Sequence, residues 1–172
     1  MASTVPHTRV VISSHSPSTN KSTFTSDSLV PPFHPFGPQV SALTTLHSLP
    51  SVPTSNLLPI SDTSNTLPKC PPAGVLCSVV DFAPAAKAPM HRTLSLDYIV
   101  IMTGEIVAVL DGGEGEERVL KVGDVMIQRG TNHSWENRST EWCKMMVVMV
   151  GAEPLKDGEG NVLEDTQFGS RK

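Results

Sequence analysis

Apolar and polar positions in the second half of the chain follow the period of strands, not of helices. Val75–Phe82 (Val-Leu-Cys-Ser-Val-Val-Asp-Phe) is a β-rich stretch closed by Ala83-Pro84. Tyr98–Met102 is β-branched and apolar, and Glu105–Leu110 is apolar after its first residue. Asp111-Gly112-Gly113 then marks a tight turn. Glu117–Val122 mixes charge with Val119 and Val122, Val125–Gln128 is a short apolar-rich run, and Cys143–Val150 is a long apolar strand holding Met145, Met146 and Met149. No stretch carries the 3.6-residue period of an amphipathic helix. Short strands at regular spacing with Gly and Asp at the turns predict an all-β fold, a closed antiparallel barrel or jelly roll.

The first 72 residues are different. They hold twelve of the fifteen prolines and only five charged residues, Arg9, Lys21, Asp27, Asp62 and Lys69. Composition alone describes a low-complexity arm, yet Thr8–Ser13, Ser22–Thr25 and Val40–Leu46 read as short β segments, and apolar residues continue through Leu57, Leu58 and Ile60. The expectation is an extended N-terminal β arm over residues 1–72, laid across the barrel or a neighbouring subunit with prolines blunting its edges. The barrel takes residues 73–151. Residues 152–172 turn polar and acidic, with Asp157-Gly-Glu-Gly marking a turn before a frayed tail.

A chain of 172 residues has room for one domain with a real core. A net charge of −4 without a basic stripe argues against nucleic acid, and no apolar run reaches the length of a membrane span. The N-terminus lacks the basic and apolar regions of a secretory signal. Three cysteines, Cys70, Cys77 and Cys143, form no close pair, which fits a reducing, cytoplasmic setting.

Candidate chemistry sits in two runs, His91-Arg-Thr-Leu-Ser-Leu-Asp97 and Gly123-Asp-Val-Met-Ile-Gln-Arg-Gly-Thr-Asn-His133-Ser-Trp-Glu-Asn137. Strand parity puts His91, Thr93 and Asp97 on one face, and His133, Trp135 and Asn137 on another. If the sheet closes, both sets face one cavity. His91, Asp97 and His133 could then hold a divalent metal (iron, manganese, nickel or zinc), since two imidazoles and a carboxylate form the facial triad of ferrous oxygenases. Without a metal, His91 or His133 serves as general base, with Asp97 setting its tautomer or acting as the acid. Thr93, Trp135, Asn137, Gln128 and Arg92 line the substrate pocket in this reading. Parity turns Tyr98 away from Asp97.

The two runs resemble the paired motifs of the cupin superfamily. Its first motif is His-x-His, three or four residues, Glu, six residues, Gly; here His91-x-Thr93, Asp97 and Gly104 keep the spacing, with Thr93 in place of the second imidazole and Asp97 in place of Glu. In the second motif Gly123, His133 and Asn137 keep their places, while Gln128-Arg129-Gly130 stands where a Pro-x-Gly usually falls. The resemblance covers residues 75–150 and implies a single jelly-roll-like cupin β-barrel. The strings Met90-His-Arg-Thr, Asp97-Tyr and Gln128-Arg-Gly-Thr-Asn-His-x-Trp-x-Asn are similar to a subgroup of small single-domain cupins, whose fungal members sit in polyketide gene clusters and are described as cupin-domain oxidoreductases. This implies a tailoring enzyme of secondary metabolism acting on a small molecule, a metal-assisted oxidoreductase. Three alternatives stay open: a redox-neutral lyase, isomerase or cyclase using His/Asp acid–base chemistry; a site that holds no metal; and a ligand-binding cupin without catalysis. Edge strands and the arm imply a homodimer.

Overall fold

The structure is a computed structural model, and it describes residues 5–56, 59–60, 63 and 65–166. Leu57 and Leu58, in the apolar continuation of the arm, lie outside the described residues, as does Asp62. The described residues form β1 (Thr8–His15), β2 (Ser22–Val30), β3 (Ser41–Leu49), β4 (Val75–Phe82) and β5 (Ser95–Thr103), then β6 (Glu105–Leu110), β7 (Glu117–Lys121), β8 (Val125–Arg129), β9 (His133–Glu136) and β10 (Cys143–Gly151). No helix occurs among the described residues, so none there is long and apolar enough to cross a membrane.

The strands form a two-stranded sheet β1-β2, a five-stranded sheet β3-β4-β10-β5-β8 and a three-stranded sheet β7-β6-β9, all antiparallel. The larger two share one core. Ile99, Ile101 and Met145 from the five-stranded sheet pack in the same cluster as Ile106, Ala108 and Trp135 from the three-stranded one. Period-two alternation builds this core directly. Along β10, Cys143, Met145, Val147 and Met149 are buried while the residues between them are half-buried. Each large apolar side chain taken from water this way contributes roughly 1.5–3 kcal/mol.

The result is a jelly-roll-like sandwich, all strand, as the sequence pattern requires. The sheets do not join into a closed hydrogen-bonded ring among the described residues. They are stitched instead through the segment before β5, where Lys87 bridges to Glu136 and His91 to His133. The bridging residues on the other side belong to β9, so the seam between the sheets runs past both histidines.

β4 and β6 coincide with the segments read from the sequence. β5 starts earlier, at Ser95, because its first inward residues, Ser95 and Asp97, are polar and conceal the strand. β2 extends to Val30 for the complementary reason: its added residues face solvent as part of a two-stranded ribbon, so burial imposes no apolar alternation. The expected turn at Asp157 is present in the C-terminal segment, described as far as Thr166. Lys156 bridges to Val162, the Asp157 carboxylate accepts from the backbone N–H groups of Glu159 and Asn161, and Thr166 pairs with Arg92.

Gly104 turns β5 into β6 with φ +70°, in the left-handed region, and a Cβ there would lie 2.6 Å from the Trp142 carbonyl oxygen. The backbone conformation alone disfavours a side chain by about 1–2 kcal/mol, and the carbonyl cannot retreat without moving the start of β10. Gly104→Ala is therefore expected to lower the unfolding free energy by ~2 kcal/mol or more. Urea unfolding at constant m-value checks this; an unchanged midpoint refutes it.

Candidate functional site

β5 and β8 meet with Asp97 paired opposite Gln128. Both side chains turn inward and are almost fully buried, Asp97 at 3% exposure. A carboxylate so placed needs donors, and three are present. Ser95 Oγ donates to Oδ1, while Thr93 Oγ1 (3.2 Å) and Gln128 Nε2 (3.0 Å) donate to Oδ2. Burial pushes the Asp97 pKa above the usual carboxylate value; the Ser95, Gln128 and Thr93 hydrogen bonds and the positive charge on His91 pull against it, and burial prevails.

The Gln128 amide fixes the next step. Its nitrogen faces Asp97, because its carbonyl there would oppose a carboxylate, an assignment made from the network itself. That nitrogen also lies 3.4 Å from His133 Nε2, which makes Nε2 the acceptor. His133 Nδ1 then carries the proton and donates to the Thr131 carbonyl at 3.0 Å. The ring is 2% exposed, and burial first, then the charge on His91, lower its pKa to about 4. His133 is thus a neutral imidazole at physiological pH. The Gln128 Oε1 atom is buried with no hydrogen-bond partner.

His91 lies beside it. The two backbones exchange N–H···O=C bonds of 2.8 Å in each direction, and the rings sit 4.1 Å apart between centroids, tilted by 53°. His91 Nδ1 lies 2.8 Å from the Pro89 carbonyl, the pairing of an N–H donor tautomer. Its pKa is lowered by burial, against which the Pro89 hydrogen bond and the carboxylates of Asp97 and Asp165 act. The two imidazoles, 42 positions apart in the chain, converge at the sheet seam.

The remaining sequence candidates divide. Thr93 reaches the site through its bond to Asp97. Trp135 is buried and presents its ring to His133 at 5.8 Å, interplanar angle 73°, as an aromatic wall. Asn137 does not join them. Its Nδ2 donates to the carbonyls of Phe82 and Glu141, and its Oδ1 accepts from the backbone N–H and hydroxyl of Ser139, so the side chain holds the loop before β10 and not a substrate. Arg92 supports the rim: its guanidinium donates to the Gly130 carbonyl and its backbone pairs with Thr166. Tyr98 points outward, as parity requires. Cys143 is sealed in the core, its thiol pushed up to about 11 by burial and by the Asp81 and Glu105 charges.

Sequence reasoning missed Ser95 and the C-terminal strap. Ser95 carried a signal, since it precedes Asp97 by two and shares its face. The strap carried none. Asp165 and Thr166 reach the site only because the chain folds back along Arg92.

A metal on His91, Asp97 and His133 would need all three side chains free to coordinate it. Among the described residues no group of three or more His, Cys, Asp or Glu side chains is disposed to hold a metal ion. The donor set gives the reason. Both Asp97 oxygens accept hydrogen bonds, the Gln128 amide stands between Asp97 and His133, and a Thr93 hydroxyl, a weak ligand, stands where a third imidazole would be. As placed, these residues do not fit a three-ligand site.

Comparison with known proteins agrees with this architecture. The family model for the Cupin domain, Cupin_2, matches residues 78–149. Phomopsin biosynthesis cluster protein C' of Diaporthe leptostromiformis is 50% identical over 90 residues, covering 51% of this chain and 47% of that protein. The cupin-domain-containing oxidoreductase virC of Hypocrea virens is 37% identical over 97 residues, covering 55% of this chain and 49% of that one. The chain thus spans about half the length of these curated relatives. Among solved structures, a Cupin 2 conserved barrel domain protein from Salinispora arenicola shares 24% identity with a TM-score of 0.42, covering 63% of this chain and 75% of that one. The paired motifs, the strands that carry them and the family match fall on one stretch of sequence: over residues 78–149 the chain is similar to the Cupin domain family.

Proposed function

We propose that this protein is a tailoring enzyme of secondary-metabolite biosynthesis that moves protons on a small, aromatic or polyketide-derived molecule. Its similarity to biosynthesis-cluster proteins and cupin-domain-containing oxidoreductases supports the tailoring role. One observation carries the chemistry: the hydrogen-bonded line Asp97–Gln128–His133, set beside His91, joins a carboxyl of raised pKa to an imidazole held neutral.

Each group takes a role from its surroundings. His91 is the more exposed imidazole and meets the substrate first. It takes a proton from an acidic C–H or O–H, and the Asp97 charge stabilises the imidazolium that forms. His133, neutral and fixed in one tautomer by Gln128 and the Thr131 carbonyl, backs the His91 ring without adding charge beside it. Trp135, buried and set edge-on against His133, holds that ring in place. Removing a proton at one atom and restoring it at another gives isomerisation, cyclisation or dehydration with no change of oxidation state.

A second reading, oxidation assisted by a divalent metal, is favoured by the carbonyl contacts at both Nδ1 atoms, the support that ligating histidines use. The hydrogen bonds on both Asp97 oxygens weigh against it.

Metabolite profiling of a strain lacking the gene supplies the accumulating intermediate, and purified protein is then assayed on it. The expectation is turnover that survives chelation, with Asp97→Asn lowering kcat by about 10²–10⁴ in a protein that still folds. Loss of activity on chelation, restored by one metal, supports the oxidative reading instead. Binding without turnover makes the protein a carrier and sinks both.

A second prediction follows from protonation. The folded His133 pKa (about 4) lies below its unfolded value of 6.5. Protonation therefore favours the unfolded chain, and the stability present above pH 6.5 is lost as pH falls through the folded value. Between pH 6.5 and 4 the loss is on the order of 3 kcal/mol from this group. His133→Gln removes that titration, so the difference between the two proteins should narrow toward acid; denaturant titrations across that range that stay parallel would falsify the assignment.

A further inference from the structure

Among the described residues, four buried side-chain atoms have no hydrogen-bond partner: His34 Nδ1, Thr45 Oγ1, Thr131 Oγ1 and Gln128 Oε1. Buried polar groups are almost always paired, so each exception calls for a cause. Thr45 and Thr131 carry hydroxyls, whose protons rotate to suit their surroundings. His34 is only half-buried. Gln128 has neither freedom. It is 2% exposed, and its nitrogen is held by Asp97 Oδ2 at 3.0 Å. Turning the amide over would set Oε1 against the carboxylate and withdraw the donor that the carboxylate uses. Satisfying Asp97 therefore strands the Gln128 oxygen.

The position of this orphan matters as much as its burial. Oε1 shares its carbon with the nitrogen that lies 3.4 Å from His133 Nε2, on the inner side of the β5–β8 pair. The His91 ring stands 4.1 Å from that of His133. The stranded acceptor thus belongs to the cluster that carries the chemistry. The donors around it are spent: the Ser95 and Thr93 hydroxyls on Asp97, and His133 Nδ1 on the Thr131 carbonyl.

We propose that Gln128 determines substrate specificity: its Oε1 accepts a hydrogen bond from a hydroxyl or N–H group of the substrate, so the protein selects a phenol, enol or amide over the same skeleton without that donor. The inference rests on the proton-transfer reading for where the substrate sits, and it names the group that must accompany the reacting atom. A cation would also seek these lone pairs. The N–H groups of the same amide, however, face Asp97 and His133, the two groups that would have to share such an ion. A water donating to Oε1 needs two to four partners in all, and the neighbouring hydroxyls and His133 Nδ1 are already engaged. A substrate hydroxyl completes the arrangement with one bond.

Two probes that differ in the donor alone test this: 4-hydroxyacetophenone and acetophenone, titrated into the ¹⁵N-labelled full chain and followed by NMR. The hydroxylated probe should bind about tenfold tighter or more and shift the Gln128 side-chain amide resonance. Gln128→Met, similar in size but without the amide, should lose the preference. Gln128→Glu keeps an oxygen for the probe and a proton to share with Asp97, and should retain it. Where Gln128→Met fails to fold, the wild-type comparison and Gln128→Glu decide. Equal binding of the two probes overturns this inference and leaves the proton-transfer reading standing, since that reading is judged by turnover after chelation. A preference that survives in folded Gln128→Met overturns it by assigning the donor to another acceptor. Failure of both probes to bind up to about 10 mM overturns it as well.

Discussion

Burial of the Asp97 carboxyl is the constraint on which the rest of the site depends. Taking an ionised carboxylate out of water carries a penalty of several kcal/mol, and hydrogen bonds to a charged group return about 1.5–3 kcal/mol each. Ser95, Thr93 and Gln128 supply three. Each then has its orientation dictated by the carboxylate. Gln128 is the consequential one, because orienting its nitrogen toward Asp97 makes the neighbouring His133 nitrogen an acceptor and sends the ring proton to the Thr131 carbonyl. One buried charge thereby sets a tautomer on a different sheet.

The location of this network follows from how the sheets join. His91 and His133 are partners in the backbone bridge that stitches the β9 edge to the chain entering β5. The reciprocal 2.8 Å bonds hold the two Cα atoms at β-pair spacing and so bring the imidazoles together whatever their side-chain chemistry. Arg92, next in the chain, ties the same seam to Gly130 and to the C-terminal strap. The functional groups are therefore placed by main-chain hydrogen bonds, which is a more rigid support than a loop provides.

Strands with apolar alternation were legible from the residues alone, and β4 and β6 emerge with the boundaries their patterns suggest. Legibility failed where the inward face is polar or where no face is buried. Ser95 and Asp97 open β5 with side chains that look like turn residues, and only the network inside the fold explains them. The convergence of His91 and His133 was readable through motif spacing. The diversion of Asn137 into the loop before β10 was not, since its partners include the Phe82 carbonyl, 55 residues away in the chain. The C-terminal strap was hidden for the same reason: Thr166 meets Arg92 through backbone pairing, which leaves no trace in residue type.

Thr93 shows how one departure from a motif changes a site's chemistry. An imidazole at that position would bring a lone pair toward the centre and favour a cation there. A hydroxyl brings a proton, and it donates that proton to Asp97 at 3.2 Å. The exchange turns a competitor for positive charge into a support for negative charge, and the Gln128 amide does the same from the opposite strand. With two donors on Oδ2 and a third on Oδ1, the carboxylate is stabilised by the protein itself and has less to gain from a cation. The departure at Thr93, the use of Gln128 and the low pKa of His133 thus belong to one electrostatic arrangement, in which negative charge is satisfied by neutral donors and the neighbouring imidazole is left uncharged. Such a site is suited to accepting and returning protons, because its surroundings raise the carboxyl's pKa and lower the imidazole's, drawing the two toward each other.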